Sequence, residues 1–408
     1  MSQAAAASKE HPTPASAAKD SGKPKIVVLG SGWAGYSFAR HLDYKKFDVH
    51  LVSPRNHYLF TPLLPSTTVG TLEFRAIQEP ARSIKGVHYY QAEATELDPA
   101  TKQIKCKEAF TGMEFMVPYD KLVLAMGATT NTFGVPGVDP KNHVYFLKQL
   151  TDARMIRNRL VECFERASTP FCSAAEQTRL LSFVIVGGGP TSVEFAAELH
   201  DFVRGDAKRL YPDVADKVSV TLVEASHQIL GTFDSALVKY TMNLFQKRHV
   251  NILTDNSVVG VKDHKVLLAD GNSIPYGLVV WSTGIKPVDF TAKLEIEKVR
   301  GRITVDERLR VPALEGVYAM GDCAAGKDKA LAPLAQVADQ QGRYLAAALN
   351  RGHEEPFKYV HLGSMAQVGD YQAIVDWHGT RVKHGSLNGL LAWAIWRSAY
   401  WTKTVVRC

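Results

Sequence analysis

Ile26-Val27-Val28-Leu29-Gly30-Ser31-Gly32-Trp33-Ala34-Gly35 decides the fold. Four apolar residues run into glycines spaced Gly-x-Gly-x-x-Gly, and Tyr36–Leu42 then reads as a helix. A second copy follows later in the chain. Phe183-Val184-Ile185-Val186 runs into Gly187-Gly188-Gly189-Pro190-Thr191-Ser192, and Val193–Phe202 is again helical in pattern. The first glycine of such a turn makes the tight bend after the strand. The second lets the backbone approach a pyrophosphate, and the third lets helix and strand pack closely. The pyrophosphate then rests on the free N–H groups of a helix N-terminus, at the positive end of its dipole. A glycine-rich turn alone also serves as a plain strand–helix connection; the flanking strand and helix in both copies give the dinucleotide reading. Ser192 stands where the second copy would carry its third glycine, and serine is small enough for most close contacts. Two dinucleotide sites in one chain imply a protein that moves electrons from one dinucleotide to another.

Outward from these turns, strands and helices alternate. Expected strands are Val49–Val52, Lys121–Ala125 (ending at Gly127), Val218–Val223, Asn251–Leu253, Val266–Leu268 and Leu278–Trp281. Another opens onto a loop at Gly316–Asp322, and strand-like stretches lie at His361–Val368 and Ala373–Val375. Expected helices are Asp152–Arg166 and Gln336–Asn350. This alternation predicts an α/β fold of doubly wound parallel sheets. The prolines of Pro54–Pro65 predict an ordered loop with no regular helix or central strand.

The 408 residues suffice for two or three domains, and 46% are hydrophobic. The net charge of +7 is spread along the chain, so nucleic acid is not implied and a preference for anionic membrane surfaces is weak. The five cysteines (Cys106, Cys163, Cys172, Cys323 and Cys408) form no Cys-x-x-Cys pair, which argues against zinc, iron–sulfur clusters and a redox disulfide. No metal site is expected. Residues 1–23 lack the apolar stretch of a secretory signal and read as a disordered leader. No segment reaches the ~20 apolar residues that span a bilayer, so no membrane-spanning pump is expected.

Each dinucleotide site needs a residue for the adenosine ribose at the end of its second strand. In the second unit this is Glu224, whose carboxylate accepts ribose hydroxyls and repels a 2′-phosphate. NADH is therefore expected over NADPH. Its distance from Gly187 exceeds the usual spacing of about 20 residues, which an insertion at Arg204–Lys217 explains. In the first unit the position is Ser53, which leaves the nucleotide there open.

Several stretches resemble the type II NADH:quinone oxidoreductases, the single-chain, non-pumping NADH dehydrogenases of respiratory membranes, in their eukaryotic branch. They are the first glycine turn, Ser53-Pro54-Arg55-Asn56 with Phe60-Thr61-Pro62-Leu63-Leu64-Pro65, Gly187–Leu199, Val280–Gly284, Tyr318–Ala324 and Ala335-Gln336-Val337-Ala338-Asp339-Gln340. The resemblance implies FAD in the first unit, NADH in the second and a quinone as acceptor. For FAD it implies Gly30, Gly32, Trp33, Ala34, Gly35, Ser53, Pro54, Arg55, Thr61, Pro62, Leu63, Ala94, Ala125, Gly127, Gly321, Asp322 and Ala335. For NADH it implies Gly187, Gly188, Gly189, Pro190, Thr191, Glu224, Thr283 and Gly284. Glu194 falls where nicotinamide meets flavin, orienting the carboxamide or relaying a proton; as a bare helix residue it is a first-turn glutamate favoured by the dipole. Gln336 and Gln340, four apart on one helical face, fall beside the quinone. The short connection Gly326–Pro333 leaves no room for the calcium-binding insertion of some members.

The implied organisation is two nested Rossmann-like domains of the flavin disulfide-reductase kind with a short C-terminal membrane-associating region. Residues 24–148 and 300–350 form a discontinuous FAD-binding domain, 149–299 the NADH-binding domain and 351–408 the C-terminal region. In that region Leu387–Trp401 is apolar and aromatic, with Arg397, Lys403 and Arg407 nearby. It suits a helix lying in the headgroup layer of a peripheral membrane protein, or one buried in a homodimer interface. The resemblance places the chain at the mitochondrial inner membrane. The rival readings are a soluble flavoprotein reductase of the apoptosis-inducing-factor-like kind and a redox-switched signalling flavoprotein.

Overall fold

The computed structural model describes residues 22–327, 330–352, 355–380 and 385–405. The expected leader falls almost wholly outside them, as do Arg407 and Cys408. The elements that position the sites are, in chain order, β1 (Lys25–Leu29), α1 (Trp33–His41), β2 (Asp48–Val52), β3 (Val87–Tyr90), β4 (Lys121–Leu124), β5 (Val144–Phe146), α2 (Leu150–Ala167), β6 (Ser182–Val186) and α3 (Pro190–Phe202). They continue with β7 (Ser219–Val223), β8 (Val250–Leu253), β9 (Leu278–Trp281), β10 (Val317–Ala319), α4 (Ala335–Arg351), β11 (Ser364–Gly369), β12 (Gln372–Asp376), β13 (Ser386–Gly389) and α5 (Leu390–Val405).

Two compact units form. Among the described residues, the first takes those within 1–59, 79–129 and 286–359, and the second those within 60–78, 130–285 and 360–405.

The first unit is built on a parallel sheet in the order β10-β4-β1-β2-β3. Ile26, Val27, Val28 and Leu29 of β1 are wholly buried or nearly so, as central strands covered on both faces must be. β1 lies between β4 and β2, so the chain reverses its direction of winding there. Such a switch point opens a crevice at the strands' C-terminal ends, and Gly30 follows β1 at that crevice. α4 packs along α1. A β-carbon on Gly342 would meet the Ala34 carbonyl at 2.5 Å, so only glycine admits this approach of the two helices.

The second unit repeats the arrangement, with parallel order β5-β9-β6-β7-β8 and β6 at its switch point. An antiparallel meander β11-β12-β13 packs on α3, and α5 packs on β12. Ala392, Trp396 and Tyr400, four apart, form one face of α5. Ala392 and Trp396 are buried, and Tyr400 meets Phe60 edge-on at 5.6 Å. Leu390, Leu391 and Trp401 stay exposed.

Several expectations change. Val266–Leu268 belongs to a separate antiparallel sheet of Val258–Lys262, Lys265–Leu268 and Ser273–Pro275. The antiparallel sheet of Ala92–Asp98, Gln103–Glu108 and Glu114–Pro118 in the first unit escaped the sequence reading. Leu387–Gly389 is strand, and the last helix starts at Leu390. The Thr61–Pro65 stretch is helical after all. Thr61–Leu63 makes a 3-10 turn and Leu64–Thr68 a short α-helix, each with its proline in the first turn, where the missing N–H removes no hydrogen bond.

Candidate functional site

In the first unit the glycine turn is compelled by close contacts. Gly30 has φ +106°, and a β-carbon there would lie 2.4 Å from the Ala125 carbonyl oxygen. On Gly35 it would lie 2.0 Å from the Gly30 carbonyl oxygen. Gly32 differs: its nearest neighbour would be an Arg55 Nη at 3.6 Å, so the protein itself does not demand glycine there. Gly32 is the N-cap of α1, with no side-chain cap and no acidic residue in the first turn. Trp33 and Ala34 open that helix, so the positive end of its dipole lies at the glycine turn, where an anion is favoured.

Around this turn lie the other residues expected for the first dinucleotide. Ser53 ends β2, is buried, and pairs with Ser31 hydroxyl to hydroxyl at 3.0 Å. Its N–H donates to the Tyr90 carbonyl at 3.1 Å, and the Tyr89 hydroxyl donates to the Ser53 carbonyl. Arg55 donates from Nε to the His57 carbonyl at 3.0 Å and from Nη2 to the Ser31 carbonyl at 3.4 Å. Loss of solvent lowers its pKa to about 10, so a positive charge is held at the edge of the glycine turn. Pro54 is exposed. Ala125 and Gly127 follow β4, and Ala94 sits in the antiparallel sheet opposite Cys106.

Gly321 and Asp322 form a 3-10 turn after β10. Gly321 has φ +73°, with Ala34 and Ala338 against it. Its N–H donates to the Gln341 side chain at 2.7 Å. Ala335, Gln336 and Gln340 lie on the first turns of α4, with both glutamines half-buried. Gln341 and Gly342 were missed from sequence. A glycine inside a helical run marks close backbone approach, and that signal was available.

The second unit repeats the logic with different partners. Gly187 has φ +112°, and a β-carbon would meet Thr283 at 2.8 Å. On Gly188 it would meet Glu224 at 2.9 Å, whereas on Gly189 it would meet nothing within 4 Å. Gly189 is the N-cap of α3, again without a side-chain cap; Pro190 follows in the first turn and Thr191 is half-buried. Open space at the second glycine and uncapped N–H donors behind it are what a pyrophosphate requires. Ser192 is buried and bonds the Ser282 hydroxyl at 2.6 Å, so the serine replacing the third glycine ties the turn to β9. Gly284 has φ +66° and lies against Phe133.

Glu224 follows β7. One carboxylate oxygen accepts the Gly188 N–H, and the other accepts the Ser226 N–H at 2.7 Å. The carboxylate is thereby fixed at the mouth of the glycine turn. The long interval before it is filled by a π-turn at Val203–Ala207, a short helix at Lys208–Leu210 and a 3-10 turn at Ala215–Lys217.

Glu194 lies beyond the first turn of α3, so the dipole reading fails. It is buried, accepts the Gln367 N–H at 3.2 Å, and burial raises its pKa to about 8. Glu198, one turn on, is also buried and raised by desolvation. It accepts the hydroxyls of Ser66 and Thr71, each at 2.6 Å. This second carboxyl was missed, although two glutamates four apart in the apolar run Val193–Leu199 were its signal. Thr61 and Pro62, half-buried, and Leu63, buried, immediately precede the short helix that carries Ser66. Burial also raises the phenol pKa of Tyr400, which feels the Glu194 charge.

Comparison with known proteins agrees with this geometry. Residues 24–342 match the family model of pyridine nucleotide-disulphide oxidoreductases. The chain is 42% identical to the mitochondrial internal alternative NAD(P)H-ubiquinone oxidoreductase A1 of Solanum tuberosum, over 97% of this chain and 86% of that protein. It is 43% identical to a probable NADH dehydrogenase of Dictyostelium discoideum, over 93% and 85%. The solved structure of NDH2 from Plasmodium falciparum in complex with NADH superposes with a TM-score of 0.87 at 28% identity, covering 93% of this chain and 94% of that one. With its two glycine-turn units, the chain belongs to the type II NADH:quinone oxidoreductases of the pyridine nucleotide-disulphide oxidoreductase family.

Proposed function

We propose that the first unit holds FAD and the second NADH, and that the chain oxidises NADH and reduces a quinone without pumping protons. The net reaction is NADH + H⁺ + quinone → NAD⁺ + quinol. FAD, when bound, accepts a hydride and passes on two electrons. The observation that carries this reading is the pair of uncapped helix N-termini, α1 and α3, each opening behind a glycine turn. Arg55 and Ser53 bind the adenosine end of FAD, and Asp322 its ribityl or pyrophosphate part. Glu224 reads the ribose hydroxyls of NADH.

Quinone reduction consumes one proton beyond the transferred hydride. Glu194, with a pKa near 8, is protonated at neutral pH and supplies it; Glu198 keeps the neutral form favoured by repulsion. Gln336 and Gln340 donate hydrogen bonds to the quinone oxygens. Pro62 and Pro65, each in the first turn of its short helix, stiffen this segment.

Among the described residues no helix is long and apolar enough to cross a membrane. The exposed Leu390, Leu391 and Trp401 of α5 dock the chain on a membrane surface, which we assign to the mitochondrial inner membrane from the mitochondrial relatives. A homodimer seam is the competing use of this helix, and the solution mass decides between them. The test is a flavin spectrum on the purified protein, followed by NADH-driven quinone reduction with and without liposomes. A yellow protein that reduces quinone fastest on liposomes supports the proposal. A colourless protein, or one that reduces soluble acceptors but no quinone, overturns it.

A further inference from the structure

β2 and β3 place three metal-binding side chains on one face at the edge of the first sheet. Asp48 and His50 are two apart on β2, hence on the same face, and His88 is the register partner of His50 on β3. The two imidazoles stack with centroids 4.8 Å apart. The donor atoms converge: His50 Nε2 lies 3.1 Å from one Asp48 oxygen, and His88 Nε2 lies 3.4 Å from the other. All three ligand atoms lie within 4.8 Å of one another. A zinc ion about 2.0–2.1 Å from each donor holds its ligands ~3.4 Å apart, so only small rotations complete the site.

Without a metal, His50 Nε2 hydrogen-bonds one Asp48 oxygen at 3.1 Å. A cation replaces that Nε2 proton, and Nδ1, 3.2 Å from the Tyr90 hydroxyl, then carries the remaining N–H and holds the ring from behind the metal. A second cluster, His200, Asp201 and Asp370, lacks this character, because Arg204 and Arg248 already pair with Asp370.

We propose that Asp48, His50 and His88 form a binding site for a late first-row divalent cation, with Zn²⁺ the best match to two imidazoles and one carboxylate. Such a cation clamps the edge strand β3 to β2. The clamp adjoins Ser53, whose N–H donates to the Tyr90 carbonyl.

The experiment uses tag-free, flavin-loaded protein stripped with a chelator, titrated with Zn²⁺ by calorimetry and with Co²⁺ by visible absorption. One equivalent of Zn²⁺ is expected to bind and to raise the thermal midpoint. His88→Ala and Asp48→Asn are each expected to weaken binding at least tenfold and to abolish the thermal shift. Tyr90→Phe is expected to weaken it by about tenfold, as outer-shell changes do. His88 is exposed, so its replacement leaves the fold intact, and unchanged NADH:ferricyanide turnover verifies this. Absence of stoichiometric binding by the parent protein overturns the proposal. So does binding that survives both ligand substitutions unchanged.

Discussion

Glu194→Gln is expected to stabilise the protein, and increasingly so as pH rises. The carboxyl is 8% exposed, and burial raises its pKa from 4.5 to about 8. The folded state thus holds the proton more tightly than the unfolded state. Below pH 4.5 both states are protonated, and the stability is fully present. Between 4.5 and 8 the unfolded chain ionises while the fold keeps its proton, so stability falls by about 1.4 kcal/mol per pH unit. Over the interval to pH 7 this amounts to ~3 kcal/mol, and the loss levels off above pH 8. Glutamine does not ionise, and its carbonyl still accepts the Gln367 N–H. Relaxation and water entry reduce such figures, so about 1–3 kcal/mol is expected at neutral pH. For a chain of 408 residues this is about 1 °C per kcal/mol, so the thermal midpoint rises by about 1–4 °C. The assay is thermal unfolding of flavin-loaded parent and variant at acidic, neutral and alkaline pH. A difference that stays flat with pH, or a destabilisation that grows with it, refutes the desolvation argument. The same substitution is expected to slow quinone reduction while NADH still reduces flavin, because the lost proton serves only the second half-reaction.

Glu224→Gln is expected to shift selectivity toward NADPH by about 1–3 kcal/mol, since one repulsive carboxylate is removed beside the 2′-phosphate. Unchanged NADH and NADPH kinetics dismiss Glu224 as the ribose reader. Gly189→Val is expected to block NADH yet leave the protein yellow, whereas Gly32→Val yields colourless protein; spectra and NADH titrations read both. The pair is informative because a β-carbon at either position meets no backbone, so each lesion falls on the ligand. The opposite pattern reverses the assignment of the two units. Gln336→Leu with Gln340→Leu is expected to slow reoxidation of reduced flavin by quinone in stopped flow. Flavin reduction and ferricyanide turnover stay near normal, and full quinone turnover in this variant removes α4 from the quinone site.

The local order was legible in the chain itself. β-branched runs ending in glycine spaced for a tight turn announce β1–α1 and β6–α3, because strand propensity, positive φ and close approach are short-range demands. The positions of Glu224 and Ser53 just past the ends of second strands were legible for the same reason. What adjacency in sequence does not encode came only from tertiary structure. Proline's rule against helix interiors was read as a rule against helix, yet first-turn positions accommodate Pro62 and Pro65. Glu194 became a proton-holding acid only when the meander containing Gln367 packed over α3 and removed water. Glu198 acquired Ser66 and Thr71 from a segment more than a hundred residues away in the chain. The Asp48–His50–His88 cluster needed the parallel register of β2 with β3, which no local pattern specifies. Turn geometry is decided within a few residues; burial, and with it the charge state of a carboxyl or imidazole, is decided by whatever distant segment covers it.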